Sequence, residues 1–230
     1  MKEKRAIEVV FFDAVGTLIH LPQGVGYHYR LIGERHGLQL GREPIGRAFR
    51  AVWKVMPVRM TTKIRRRDDD KEWWRELVAR VLAHCDKKVS DKKFDDYFED
   101  LYHHFTVPGV WKLFPEVVEV LHLLAKKHRL AVISNFDGRL RVILDQFDLG
   151  AQFEKIIISS EVGADKPDPF IFQHALDSMG VNPARALHVG DDPVNDWQAA
   201  EAAGMKIYRL ERPENSLLGL AGALRSIQTG

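Results

Sequence analysis

The strongest constraint on the fold of this chain is an alternation that begins near residue 115. Short, largely apolar runs at 130–133, 156–158, 186–189 and 206–210 alternate with segments whose apolar residues recur at helical spacing. A similar run, VVFF, stands far earlier at 9–12. Strands that are apolar at consecutive positions bury both faces, which is the habit of parallel strands covered by helices. The segment 115–127 (PEVVEVLHLLAKK) opens with Pro, carries Glu early and Lys late, and so has the polarity of a helix. Segments 139–147, 169–179 and 194–203 share the pattern, with Gly180 and Gly204 as stop signals after two of them, and 216–227 closes the chain as a last helix. The alternation predicts an α/β core, a Rossmann-like doubly wound parallel sheet.

Between the first strand and the rest lies a stretch with no strand pattern. Helical periodicity covers 27–36, 45–56, 71–83 and 91–105, the last with Ser90 as its expected cap. The expected division is therefore 1–19 and 109–230 as the core domain, with 20–108 as an inserted all-helical cap. Val107, Pro108 and Gly109 mark one hinge of a lid expected to move against the core. The run RRRDDDK at 65–71 is the densest charge cluster, and it reads as a solvated loop with Asp70 capping the next helix.

Composition narrows the function. Apolar residues make up 45% and charged residues 29%, so the chain is an ordinary globular one. A net charge of +2, with Lys and Arg spread along the chain, argues against nucleic acid as a partner. No apolar stretch approaches the roughly 20 residues that span a bilayer, and the apolar run after the basic N-terminus is interrupted by Glu8 and ends at Asp13, unlike a signal peptide. The single cysteine, Cys85, permits no internal disulfide and fits a reducing compartment. A cytoplasmic chain, monomer or homodimer, is expected, with no membrane partner.

In an open parallel sheet, ligands bind beyond the carboxyl ends of the strands. The residues just past each strand are therefore informative. After the first come Asp13, Ala14, Val15, Gly16 and Thr17; after the second, Ser134 and Asn135; after the third, Asp165, Lys166 and Pro167; after the fourth, Gly190, Asp191 and Asp192, with Asp196 beyond. A carboxylate nucleophile, a hydroxyl, an ammonium and an acidic cluster at one edge suit phosphoryl transfer. The carboxylate attacks phosphorus, and a carboxylate-held Mg²⁺ and the lysine offset negative charge.

These loops resemble, in order, the four motifs of the haloacid dehalogenase superfamily: FFDAVGTLI, VISN, DKPDP and HVGDDPVND. The helical insertion is similar to the cap placed between motifs one and two, and the DAVGTL form resembles the subfamily typified by the rhythmically-expressed-gene-two protein. The resemblance implies a Mg²⁺-dependent phosphatase acting on a small phosphorylated metabolite. It makes Asp13 nucleophile and metal ligand, Val15 a backbone-carbonyl ligand, and Asp191 a direct metal ligand, with Asp192 and Asp196 supporting. Lys166 would bridge Asp13 and the phosphate. Ser134 and Asn135 would hold the phosphate, and Thr17 would join them while steadying the turn after the nucleophile. One departure stands out. Phosphatases of this superfamily carry a general acid/base aspartate two residues after the nucleophile, where this chain has Val15. The 2-haloacid dehalogenases also lack that aspartate, but they need no metal and have no GDD…D cluster. A dehalogenase-like hydrolase and a non-catalytic phosphate- and metal-binding protein are the competing readings.

Other candidates read as structural. His20 is expected at the surface, as the first substitute for the missing acid if one exists. His103 and His104 are adjacent on a helix and cannot share a metal. One of Trp73 and Trp74 is expected in the cap core and the other at a cleft or dimer contact. Cys85 is expected to be buried, and Asp137 to cap a helix.

Overall fold

The computed structural model describes residues 6–229. Five strands form one parallel sheet in the order β5-β4-β1-β6-β7: β1 (Val9–Phe12), β4 (Arg129–Ser134), β5 (Lys155–Ile158), β6 (Ala186–Gly190) and β7 (Lys206–Arg209). Pairing is in register from Val9 opposite Arg129 and Ala186 to Phe12 opposite Val132 and Val189. The central strands β1 and β6 are buried at every position, whereas the edge strands β5 and β7 are partly exposed. That difference is why the central runs are the most apolar. The chain winds from β1 to one side through β4 and β5, then crosses to the other side for β6 and β7. The switch point lies beside β1, which puts the crevice at the carboxyl ends of β4, β1 and β6.

Helices cover both faces: α5 (Val117–Ala125), α6 (Arg139–Asp145), the short α7 (Ser159–Val162), α8 (Pro169–Met179), α9 (Ala199–Ala202) and α10 (Leu220–Thr229). On one face Val9, Phe11, Ala131 and Ile133 pack with Ile171, Phe172, Leu176 and Met179 of α8. Helix α8 starts where Pro169 stands at its first turn and the Asp168 carboxylate accepts the Phe170 N–H at 2.8 Å. The expected helix at 194–203 is different. It opens as a π-helical turn, Pro193–Gln198, before α9, because Asp192 caps its start while Asp196 is drawn inward. Two short strands, β2 (Ile19–His20) and β3 (Lys112–Leu113), form a ribbon too brief for periodicity to reveal.

The chain divides into two compact units. One is Met1–His20, Met60–Arg66 and Leu113–Gly230, and the other is Leu21–Arg59 with Arg67–Lys112. The expected single block 20–108 is therefore interrupted, since Met60–Arg66 packs with the sheet unit. The second unit holds α1 (Val25–Arg35), α2 (Arg42–Trp53), α3 (Lys71–His84) and α4 (Asp91–His104). Its core joins Tyr29, Ile32, Ile45, Leu77, Val81, Phe98 and Leu101 around the fully buried Tyr97, whose hydroxyl donates to the Tyr29 carbonyl at 3.2 Å. Trp73 and Trp74 sit edge to face, 5.2 Å apart, both half-buried against that core, and Cys85 is half-buried as well. Ser90 holds the cap position of α4 without a side-chain cap bond.

The charge run 65–71 is not the solvated loop expected. Arg66 and Asp70 are buried, and Asp70 pairs with Arg59 at 3.3 Å instead of capping α3. Asp68 takes the capping role, accepting the Glu72 N–H at 2.9 Å. A buried charge needs a partner: Asp70 finds Arg59 earlier in the same stretch, and Arg66 finds Asp165 far along the chain.

Inside the helical unit, His28 Nδ1 and His104 Nε2 lie 2.9 Å apart, both rings buried. Burial, with the charges of His104 and Arg42, pushes His28 down to about 4, and burial lowers His104 as well. An unfolded chain protonates His28 near pH 6.5, while the folded one resists until about pH 4. Stability present above pH 6.5 is therefore lost as pH falls through that window, by an amount on the order of 2 kcal/mol. Thermal melts should show a lower Tm at pH 5 than at pH 7.5, and a His28→Phe variant should show a smaller drop.

Candidate active site

Asp13 is the first residue past β1, and its N–H donates to the Val189 carbonyl at 2.8 Å, so the β1–β6 pairing sets its place. The next residues fold back at once: Leu18 and Ile19 N–H groups donate to the Ala14 carbonyl at 2.8 and 2.9 Å. Gly16 stands at the apex with φ +90°, and a Cβ there would lie 2.3 Å from Asp191 Oδ2. Both the backbone conformation and the close approach of that carboxylate require glycine. Thr17 is fully buried and donates to Asp191 Oδ1 at 3.3 Å, tying the first loop to the fourth.

Lys166, 4% exposed, reaches the centre of the site. Its Nζ donates to Asp13 Oδ1 and to Asp196 Oδ1, each at 2.6 Å. Asn135 secures its main chain: Oδ1 accepts the Lys166 N–H at 2.6 Å, and Nδ2 donates to the Lys166 carbonyl at 2.7 Å. Both polar ends of that amide thus bond the Lys166 main chain, a positioning role that the sequence reading did not include. Ser134 ends β4, buried, at the same edge of the sheet.

Asp13, Asp191 and Asp196 offer carboxylate oxygens that lie within 4.8 Å of one another. Asp192 does not join them. Its Oδ1 accepts the Val194 and Asn195 N–H groups at 2.8 and 2.7 Å, which makes it the cap of the following turn. Asp196 accepts from His188 Nε2 at 2.8 Å and from the Asp192 N–H at 3.1 Å, in addition to Lys166. His188, fully buried in β6, is a site residue that motif spacing alone does not single out. Its one signal in the sequence is that of a lone titratable residue inside the apolar run ALHVG.

The electrostatics reflect three acids around one ammonium. Burial pushes the Asp13 carboxyl up to about 7, with Asp196 and Asp191 adding to the rise and Lys166 opposing it. Burial and Asp196 likewise raise Asp191. Burial disfavours charge on Asp196 too, but Lys166 and the His188 hydrogen bond outweigh it and hold that carboxyl well below the usual range. Burial also opposes charge on Lys166, yet Asp13 and Asp196 keep it above its ordinary value. The ammonium is therefore permanent, and the unsatisfied negative charge falls on Asp13 and Asp191.

Val15, 40% exposed, offers no proton-transfer group two residues after Asp13. His20 lies on β2, half-buried, its ring stacked on Phe114 at 4.6 Å. Arg212 lies 3.6 Å from the centroid of Phe114, and also donates to Glu116 and to the Thr17 carbonyl at 2.7 and 3.3 Å. Asp137 accepts the Arg139 N–H at 3.1 Å and grips the Arg139 guanidinium, while Gly138, and not Asp137 as expected, holds the cap position of α6.

A doubly wound sheet with an aspartate past its first strand, a lysine bridging two acids, and a helical insertion after the first motif defines a hydrolase built around a carboxylate. The chain belongs to the haloacid dehalogenase-like hydrolases, whose family model matches residues 7–204. It is 31% identical over 215 residues to the rhythmically expressed gene 2 protein of Drosophila melanogaster, covering 89% of this chain and 83% of that one. It is 32% identical over 208 residues to haloacid dehalogenase-like hydrolase domain-containing protein 3 of Danio rerio, covering 89% and 85%. Among solved structures it is similar to a magnesium-bound HAD-hydrolase of Bacillus subtilis, with TM-score 0.77, 15% identity, and 96% and 99% of the chains covered. A defluorinating L-2-haloacid dehalogenase gives TM-score 0.73 at 19% identity, with 95% of each chain covered. Among the described residues no helix is long and apolar enough to cross a membrane.

Proposed function

We propose that this hydrolase is a Mg²⁺-dependent phosphomonoesterase that acts on a small phosphorylated metabolite through an aspartyl-phosphate on Asp13. The observation that carries the reading is the trio Asp13, Asp191 and Asp196 set against a single ammonium. Like charges at this spacing call for a further cation. The donor set fits a hard one, because the trio offers only carboxylate oxygens, with no thiolate or imidazole among them. Asp196 is engaged by Lys166 and His188, so Asp13 and Asp191 would hold the ion, joined by the Val15 carbonyl. When bound, Mg²⁺ neutralises charge on phosphoryl oxygens.

The protein's own groups do the rest. Lys166 holds Asp13 by one oxygen, which leaves the other as the nucleophile. That oxygen attacks phosphorus as the ester P–O bond breaks and the leaving group departs with its electron pair. Water then cleaves the acyl phosphate, restoring the Asp13 carboxylate and releasing inorganic phosphate. Lys166 compensates charge at Asp13 through both steps.

Val15 favours a second reading, a carbon-centred dehalogenase that also starts from Asp13. Metal dependence separates the two. Mg²⁺ titrated calorimetrically with a phosphate analogue present should bind wild type and bind Asp191→Asn at least about tenfold more weakly, a loss of about 1.4 kcal/mol. Aryl phosphate hydrolysis should vanish with a chelator and return with Mg²⁺. Chelator-resistant release of halide from a 2-haloacid would instead establish the second reading.

A further inference from the structure

We infer that Met60–Arg66, a strap lent by the helical insertion to the sheet unit, is a second support for the Lys166 loop, with Arg66 as its positioning residue. Lys166 must hold its Nζ at 2.6 Å from two carboxylates, yet it stands on an irregular loop between α7 and α8. Asn135 secures the Lys166 main chain from one side. The strap secures both shoulders of the loop from another. Arg66 Nη1 pairs with Asp165 Oδ1 at 3.2 Å, one residue before Lys166, with both side chains about nine-tenths buried. Thr61 Oγ1 donates to Asp168, two residues after it.

The main chains also interlock. Thr62 N–H donates to the Gly163 carbonyl at 2.8 Å, and Arg66 N–H donates to the Ser160 carbonyl at 2.8 Å. A Cβ on Gly163 would lie 2.0 Å from the Ile64 carbonyl oxygen and 2.3 Å from Thr62 Oγ1, so the strap passes at a distance that only glycine permits. Gly163 also has φ +74°, a conformation that side chains rarely adopt. A buried ion pair adds little net stability on its own, because desolvation offsets its attraction, but it specifies one geometry. Here the geometry specified is that of the loop carrying Lys166.

The inference concerns the site proposed above and rests on Lys166 acting there, so its test needs a readout besides turnover. Hydrogen exchange by mass spectrometry would monitor the segment 160–170 in wild type, Arg66→Leu, Arg66→Lys and Thr61→Val, alongside kcat and KM for an aryl phosphate. In Arg66→Leu, exchange in this segment should rise about tenfold while β1 and β6 stay protected. The kcat should fall about 10- to 100-fold with KM nearly unchanged, because the ammonium is displaced rather than lost. Arg66→Lys should recover part of both, and Thr61→Val, at an exposed site, should show a smaller effect of the same sign. If Arg66→Leu does not fold, Thr61→Val carries the test. Unchanged exchange in 160–170 overturns the inference, as does a rise spread equally over the whole sheet, which marks a merely structural role. If wild type hydrolyses no phosphate ester while loop exchange still rises locally in Arg66→Leu, the phosphatase reading fails and the strap stands.

Discussion

Asp13→Asn is expected to lower kcat by at least about 10³–10⁴-fold while leaving the protein as stable as wild type or more so. The amide is close in shape to the carboxylate, but it cannot attack phosphorus or carbon, so no covalent intermediate forms. Stability moves the other way for an electrostatic reason. Folding buries Asp13 beside Asp191 and Asp196 and raises its carboxyl to about 7. Its charge at neutral pH is therefore a cost to the metal-free fold, which the neutral amide removes. Lys166 keeps Asp196 as its partner at 2.6 Å, so the substitution strands no ammonium. Steady-state turnover and thermal melts in chelator, run side by side, check both halves. Retained turnover would remove the nucleophile assignment, and a large drop in Tm would mean that the Asp13–Lys166 pair is a structural bond.

The second large effect arises from Val15. In the reaction proposed above, a leaving group of low pKa departs unprotonated, so attack by Asp13 on an aryl phosphate needs no acid. Breakdown of the aspartyl-phosphate needs water to lose a proton, and the position usual for the base holds a hydrocarbon. General acid–base catalysis is typically worth about 10²–10⁴-fold, so the two half-reactions should be unequal by something of that order. Single-turnover kinetics should show a burst on aryl phosphates, slow turnover afterwards, and much slower hydrolysis of alkyl phosphates. Val15→Asp should raise steady-state turnover, since Val15 is 40% exposed and an aspartate there has room to turn toward the crevice. Equal rates on aryl and alkyl esters without a burst would mean that another group supplies the proton. His20 is the first to test, although its stacking on Phe114 restricts its reach.

Much of the site was legible because parallel strands bring the loops at their carboxyl ends to one edge whatever joins them. Asp13, Lys166, Asp191 and Asp196 could be named from position after apolar runs, and the structure brings their carboxylates and ammonium together. The beginning of α8 was legible too, since Pro169 and the Asp168 cap act within one turn of backbone. Asp192 was not separable in this way, because a carboxylate that joins an acidic cluster and one that caps the next turn look alike in sequence. The direction of the side chain separates them, and direction depends on the adjoining π-helical turn.

Arg66, Asp70 and His188 mark the limit. Each belongs to a pair whose members are joined by packing and not by periodicity: Arg66 with Asp165, Asp70 with Arg59, and His188 with Asp196. The sequence by itself determined the sheet, the helical insertion and the chemical inventory at the sheet's edge, because those depend on local spacing and on the rules of parallel pairing. Only the tertiary structure decided that part of a charge run is buried, that Asn135 serves Lys166, and that a strap from within the insertion belongs to the sheet unit. Burying a charge is tolerated only where an opposite partner arrives, and which partner arrives is settled when distant segments pack.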